Sequence, residues 1–306
     1  MNIVPFVGNP SKRTGTMKRL ITSGYGSELH KEEKKESEKF KRHVQTFDSA
    51  DREDPTNSTP SEYFITHTER IDIVQMELLS AEIPNSEHVI NATNNLIEFK
   101  HANDPGFPLP LTATLTPGTY TGPEIANEIN LQMNAAMGAA IGVEVNVTFN
   151  TITKLLTITG VTGNIELLFG PLNPDTLLDN PSFGNSPTTQ LGFLAVNTAA
   201  AASATSNSIV NLSGEDYIYM QIVFPSGLTN VIQTTNNIPN VFAKIILNVP
   251  PDTVSFYSYV SNPLKFKPSY PRIRRLGFRF VKHDGTLYDF QSVNHSFTIE
   301  YKTKKS

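Results

Sequence analysis

The residues best able to do chemistry are spread thinly along this chain. Seven histidines stand at positions 30, 43, 67, 88, 101, 283 and 295, none within five residues of another. A metal centre needs several ligands that converge and a second layer that orients them, so surface or hydrogen-bonded histidines are the simpler reading. There is no cysteine, which excludes disulfides and thiolate-held metals and suits a reducing compartment. No phosphate-loop lysine motif, HExxH pair, G-x-S-x-G elbow or calcium-loop spacing occurs. Asp48, Asp51, Glu53 and Asp54 form an acidic cluster, but it lacks the alternate spacing around a glycine that calcium loops use. A solvated linker, or a dock for a neighbour's basic patch, describes it better. The sequence therefore calls for no catalytic residue, no metal and no cofactor.

The cations are unevenly placed. Ten of the 25 Lys and Arg precede residue 43 and ten follow residue 264, leaving five between, although the net charge is only −4. Lys12, Arg13, Lys18 and Arg19 near the start, and Arg272, Arg274 and Arg275 near the end, are the candidate protein-contact residues. Phe266, Tyr270 and Phe278 lie among the C-terminal cations, a mixture also found in nucleic-acid binders. Phe278, however, is phased as core, and phosphate contacts alone are blind to sequence. An acidic protein surface fits the cations better than nucleic acid does. Between the basic ends, Asn, Thr, Ser and Pro dominate, a neutral polar surface more natural to a subunit packed among neighbours than to a free protein.

Strands must position these groups. Ile71 and Ile73, Met76 and Leu78, and Ala81 and Ile83 alternate with polar residues, as in a half-buried strand. The phase slips at Val74 and at Leu79, which predicts one long strand with bulges or a bend, as at the corner of a sandwich. Thr121 and Glu124 form a capping box, Pro123 sits in the first turn, and Ile125, Ile129 and Met133 share a face, which predicts one helix ending near Met137 or Gly138. Val143 to Phe149 and Leu155 to Thr159 read as a hairpin, and His283-Asp284-Gly285 as a hairpin turn. Residues 170–208 are rich in Pro, Asn and Ala and read as a long surface excursion, a candidate contact loop. Ten to twelve strands and one helix imply an all-β antiparallel sandwich. Residues 1–45 read as an extended basic and charged N-terminal arm and 46–306 as the body. Five Asn-x-Ser/Thr sequons start at Asn57, Asn91, Asn146, Asn211 and Asn294. No export signal or apolar run of spanning length is visible, so they are expected to stay unmodified.

The run PSEYFITHTERIDIVQMELLSAEIPNSEHVINATNNLIEF, preceded by FDSADRED, carries a further signal. It is followed in order by TPGTYTGPEIANEIN, VTFNTITKLLTIT, Gly192-Phe193 and FVKHDGTLYDFQSVNHSFTIEY. Together they resemble minor capsid and virion structural proteins of large icosahedral double-stranded DNA viruses, the algal and nucleocytoplasmic group especially. The resemblance runs from about Phe47 to Tyr301. It implies a jelly-roll sandwich, location in the virion after assembly in the host cytoplasm, and a role in stabilising the shell. The implied partners are the major capsid protein and other minor capsid proteins, with self-association and contact with an inner viral membrane left open. The alternative is a virion surface module that binds a host glycan or receptor through residues 170–208, where Phe183 is the single aromatic before Phe193.

Overall fold

The computed structural model describes residues 39–103, 109–138, 143–172, 180, 182–223, 232, 234–258 and 263–305. Among these residues thirteen strands and one α-helix make it an antiparallel β protein. Its spine is β2, Glu62–Asn85, a single strand of 24 residues. Running antiparallel along one edge of it are β11, Thr253–Ser258, and then β12, Leu264–Val281. On the other edge lies β13, Ser296–Lys304, which carries β1, Phe40–Asp48, outside it. Strand β9, Tyr217–Val223, pairs with the end of β12, and β10, Val241–Ile246, pairs with β9.

The pairing divides this sheet into two layers. Only residues 73–82 of β2 meet β13, whereas residues 62–66 meet the far end of β12, beyond three register shifts. One layer therefore runs β1, β13, second half of β2, β11; the other runs first half of β2, second half of β12, β9, β10. Numbering the legs along the chain gives orders one-eight-three-six and two-seven-four-five, the winding of a jelly roll. A single core fills the space between the layers, with Phe47, Met76, Leu78 and Phe297 from one and Tyr63, Met220, Ile245, Phe278 and Phe280 from the other.

The slips read from the sequence are structural. Opposite β13, the register of β2 jumps from Ser80 to Leu78 and from Gln75 to Ile73, leaving Leu79 and Val74 as the extra residues. Each extra residue reverses the inward parity, so Ile73, Met76, Leu78, Ala81 and Ile83 all reach the core. Without such bulges a strand this long would turn half its apolar side chains outward.

Residues between β2 and β9 build a second core. Strand β3, Leu96–His101, pairs with β4, Leu111–Thr114, and β7, Ile165–Leu167; β5, Val145–Phe149, pairs with β6, Leu156–Gly160, which carries β8, Ser203–Thr205. Helix α1, Gly122–Met137, starts with the expected Thr121–Glu124 capping box and buries Ile125, Ile129, Met133 and Met137 among these strands. It stops at Gly138, whose φ of 86° only glycine adopts without strain.

Two expectations need correction. Residues 40–45, assigned to the arm, are the first six of β1, hydrogen-bonded to β13. That strand was hidden because Val44 and Thr46 face outward and only Phe47 enters the core. The 170–208 stretch is less of a surface excursion than its composition suggested: Leu191 and Phe193 are buried in the second core, with Phe193 against Phe169.

His295 lies in the roll's core against Phe280 and Phe290, its Nε2 donating to the Pro60 carbonyl at 2.9 Å. Burial pushes its pKa down to about 4. The folded value is below the unfolded one, so this stabilisation is full above pH 6.5 and is lost as pH falls from there through 4, a range worth on the order of 3 kcal/mol. Melting temperature measured from pH 7 to 4 should drop, and His295→Phe should flatten much of that slope. A chain starting at residue 39 keeps β1 and should fold and melt cooperatively. A chain starting at residue 49 loses β1 and Phe47 and should melt far lower or aggregate through the bared edge of β13.

Candidate contact surface

Lys12, Arg13, Lys18 and Arg19 lie outside the described residues. The C-terminal arginines fall where β12 crosses from one layer to the other, opposite Thr66 to Ile73 of β2. Arg275 is engaged within the chain. Its Nε donates to Glu53 Oε2 at 2.8 Å, and its guanidinium stacks 3.8 Å above the Phe64 ring. That ring also covers Gly277, where any Cβ would lie 2.6 Å from it. Arg272 has φ of 54°, and its backbone N–H donates to Asp72 Oδ1 at 2.6 Å. Arg272 and Arg274 are both exposed. The three arginines share a corner and all are exposed, with Arg275 also held against Glu53 and the Phe64 ring.

The acidic cluster also works locally. Asp48 accepts from the Ala50 N–H at 2.8 Å and caps a short 3₁₀ turn, Ser49–Asp51. Glu53 holds Arg275, and Asp54 accepts from Asn57 at 2.7 Å. The described histidines are dispersed as well. His43 stacks on Tyr301, His283 bonds Tyr217 and Asn236, and His101 is buried in the second core's first sheet. Among the described residues no group of three His, Asp or Glu could hold a metal ion, and no helix is long and apolar enough to cross a membrane.

What the sequence did not reveal is a row of cations laid across four strands. Register places Arg42 opposite Lys302, Lys302 opposite Gln75, and Gln75 opposite Lys265. One step along, Phe40 sits opposite Lys304. Phe40, Gln75, Lys265, Lys302 and Lys304, with Val74, Phe266 and Lys267, line an open groove of about 430 Å³. Cations facing each other across strands raise the energy of the sheet unless anions answer them. Arg42 is answered by Glu300 at 2.5 Å. The residues come from sequence positions 42, 265 and 302, and only the pairing register brings them together.

A second cleft, about 420 Å³ and polar, separates the roll from the inserted lobe. Both chain crossings line it, with Glu87 on the way out and Glu215 on the way back, and Lys282 donates to Glu87 at 3.0 Å. Burial raises both carboxylates above their usual range, against the pull of Lys282. Burial alone would lower Lys282, yet the Glu87 bond and charge outweigh it and raise its pKa. The group holds two segments together and offers no nucleophile. Phe183, an aromatic of the looser stretch, is 47% exposed.

Arg272 sits in a conformation that costs a side chain about 1–2 kcal/mol, so Arg272→Gly should be neutral or stabilise by up to about 1 kcal/mol. The same change at Arg274, in extended strand, should destabilise by about 0.5–1 kcal/mol. Urea unfolding of the two variants tests the contrast.

Among solved structures, the mavirus penton protein is similar at 10% identity over 86% of this chain and 99% of its own, with a TM-score of 0.38. A chain of the Sputnik virophage particle is similar at 9% identity over 87% and 98%, with a TM-score of 0.40. Likenesses this distant carry no argument about role. No curated protein matches the chain. The model of one family matches residues 32–255, and this chain belongs to that family, a family of unknown function, DUF5901.

Proposed function

We propose that this protein is a minor capsid component that grips major capsid and other minor capsid proteins and stabilises an icosahedral shell. The observation that carries the reading is a coincidence of segments. Two of the stretches that resemble virion structural proteins build the centre of the roll: PSEYFITHTERIDIVQMELLSAEIPN becomes β2, and FVKHDGTLYDFQSVNHSFTIEY closes β12 and forms β13, while TPGTYTGPEIANEIN and VTFNTITKLLTIT supply the helix and a hairpin of the inserted lobe. A fold alone does not fix a role, but the surface points the same way. Val254 and Phe256 project from β11, at the edge of one layer, 62% and 64% exposed, and Leu194 and Val196 project from the inserted lobe at 57% and 56%. Apolar side chains grouped on an exterior favour a partner. The cation groove adds a charged contact on the layer that β11 edges. In this reading the first 38 residues reach a neighbouring subunit, and the ordering cost is offset by the surface they wrap.

The test is on particles. Washed, gradient-purified virions should contain the chain, and a cryo-EM map should place the roll against the major shell protein. Removing residues 1–38, which leaves β1 intact, should lower incorporation or the heat resistance of the particles. Absence from washed particles would end the reading, and undiminished heat resistance would remove the N-terminal segment from it.

A further inference from the structure

The layer built from β1, β13, the second half of β2 and β11 turns one face away from the core, and that face is polarised. We propose that it is a self-association surface, on which a second copy of this chain lies face to face with its strands reversed. The proposal rests on the face alone and stands whether or not the protein belongs to a shell.

Register fixes the face row by row. The alternation that sends Phe47, Phe297, Met76 and Ala81 inward sends the residues on either side of them outward. At one end Arg42, Lys302, Gln75 and Lys265 form a row across the strands. At the other end the row is Asp48, Ser296, Glu82 and Phe256. Between them lie Val44, Glu300 and Glu77, and then Thr46, Thr298, Ser80 and Ser258. Arg42, Lys265, Lys267 and Lys304 are exposed at the first end and Glu82 at the second. The face is therefore basic where β1 starts and acidic where it stops.

A two-fold axis that lies in the face and crosses the strands between Val44 and Thr46 reverses the strands but keeps their order. It sets the basic row of each copy on the acidic row of the other. Asp48 then meets the partner's Arg42, whose side chain is 65% exposed although it also binds Glu300. Phe256, 64% exposed, offers its ring to the partner's Lys265. Glu82 lies over the partner's Gln75 with Lys265 beside it. In the middle, the Thr298 and Ser80 hydroxyls fall on the partner's Glu300 and Glu77, donors against acceptors. An axis along the strands would set cations on cations, so charge selects the reversed arrangement.

The area is sufficient for a weak dimer. The nine residues of β1 span about 30 Å and four strands about 19 Å, so two copies bury roughly 1,100 Å². Such a contact depends on concentration and, held by charge at both ends, on salt. A nucleic acid suits the face less well, because only one end of it is basic and the rows beyond carry Glu300, Glu77, Asp48 and Glu82.

Sedimentation velocity of the full-length protein tests this. In low salt the weight-average mass should climb from one chain toward two between about 5 and about 200 µM, and about 0.5 M salt should weaken the association at least about tenfold. Asp48→Lys with Glu82→Lys makes both ends basic; Lys265→Glu, Lys267→Glu and Lys304→Glu together reverse the other end. Each variant alone should stay monomeric, and an equal mixture of the two should regain a dimer containing one of each. Circular dichroism checks each fold, and Glu82→Lys alone replaces the first variant where loss of the Asp48 turn cap lowers its melting temperature. A wild type that stays monomeric throughout, reversed variants that still pair with themselves, or a mixture that regains no dimer would overturn the proposal.

Discussion

The constraint on which the structure depends is the continuous antiparallel ribbon of β2 with β11 and β12. Both long strands serve two layers, so each must change layer without losing its partner. The change is made by shifts in register: β12 advances from Lys265 to Tyr270 while β2 retreats only from Gln75 to Ile73. Arg272, at positive φ and anchored by Asp72, lies within the crossing, where ordinary ladder geometry is interrupted. The bulges at Val74 and Leu79 solve the matching problem on the opposite edge, keeping apolar residues inward while the strand twists. Each fully buried Phe of the roll adds about 1.5–3 kcal/mol. That gain exists only if parity is right in both layers at once, which makes register the quantity on which stability turns.

The inserted lobe is tied to this ribbon at a narrow waist. As the chain leaves β2, the Ser86 and Glu87 N–H groups both donate to the Tyr288 hydroxyl, at 3.0 and 3.2 Å, and that hydroxyl lies near Asn85 Oδ1 at 3.2 Å. Tyr288 is fully buried, and burial raises its pKa to about 12. It therefore stays a neutral donor and acceptor throughout the physiological range. Glu87 and Lys282 add a charged bond beside it. Two segments leaving a closed sandwich would otherwise leave backbone groups unpaired at the exit, and the tyrosine satisfies them.

Local signals made much of this fold legible. The capping box, Pro123 and the spacing of Ile125, Ile129 and Met133 act within one helix, so the sequence contains all that determines it. The phase slips of β2 are also local, and they marked the bulges because a buried face tolerates no other parity. What could not be read depends on pairing between distant segments. Arg42, Lys302 and Lys265 become neighbours only through three strand registers. β1 lacks an apolar stripe because it is an edge strand with one core residue, so its identity comes from β13. Leu191 and Phe193 sit among turn-forming residues whose composition outweighed two buried anchors.

The same distinction bears on where function resides. The arginines chosen from sequence density, 272, 274 and 275, lie where the ribbon crosses layers, and Arg275 has a structural duty there with Glu53 and Phe64. Cations close in sequence on a strand alternate between faces, so local density overstates the charge on either face. Cations on neighbouring strands at matched register share a face and add. A charged contact surface on a β protein is therefore found by following the ladder across the sheet. On this molecule that route leads from the arginine corner to the end of the sheet where β1 begins, and there Lys265, Lys267, Lys302 and Lys304 line one groove.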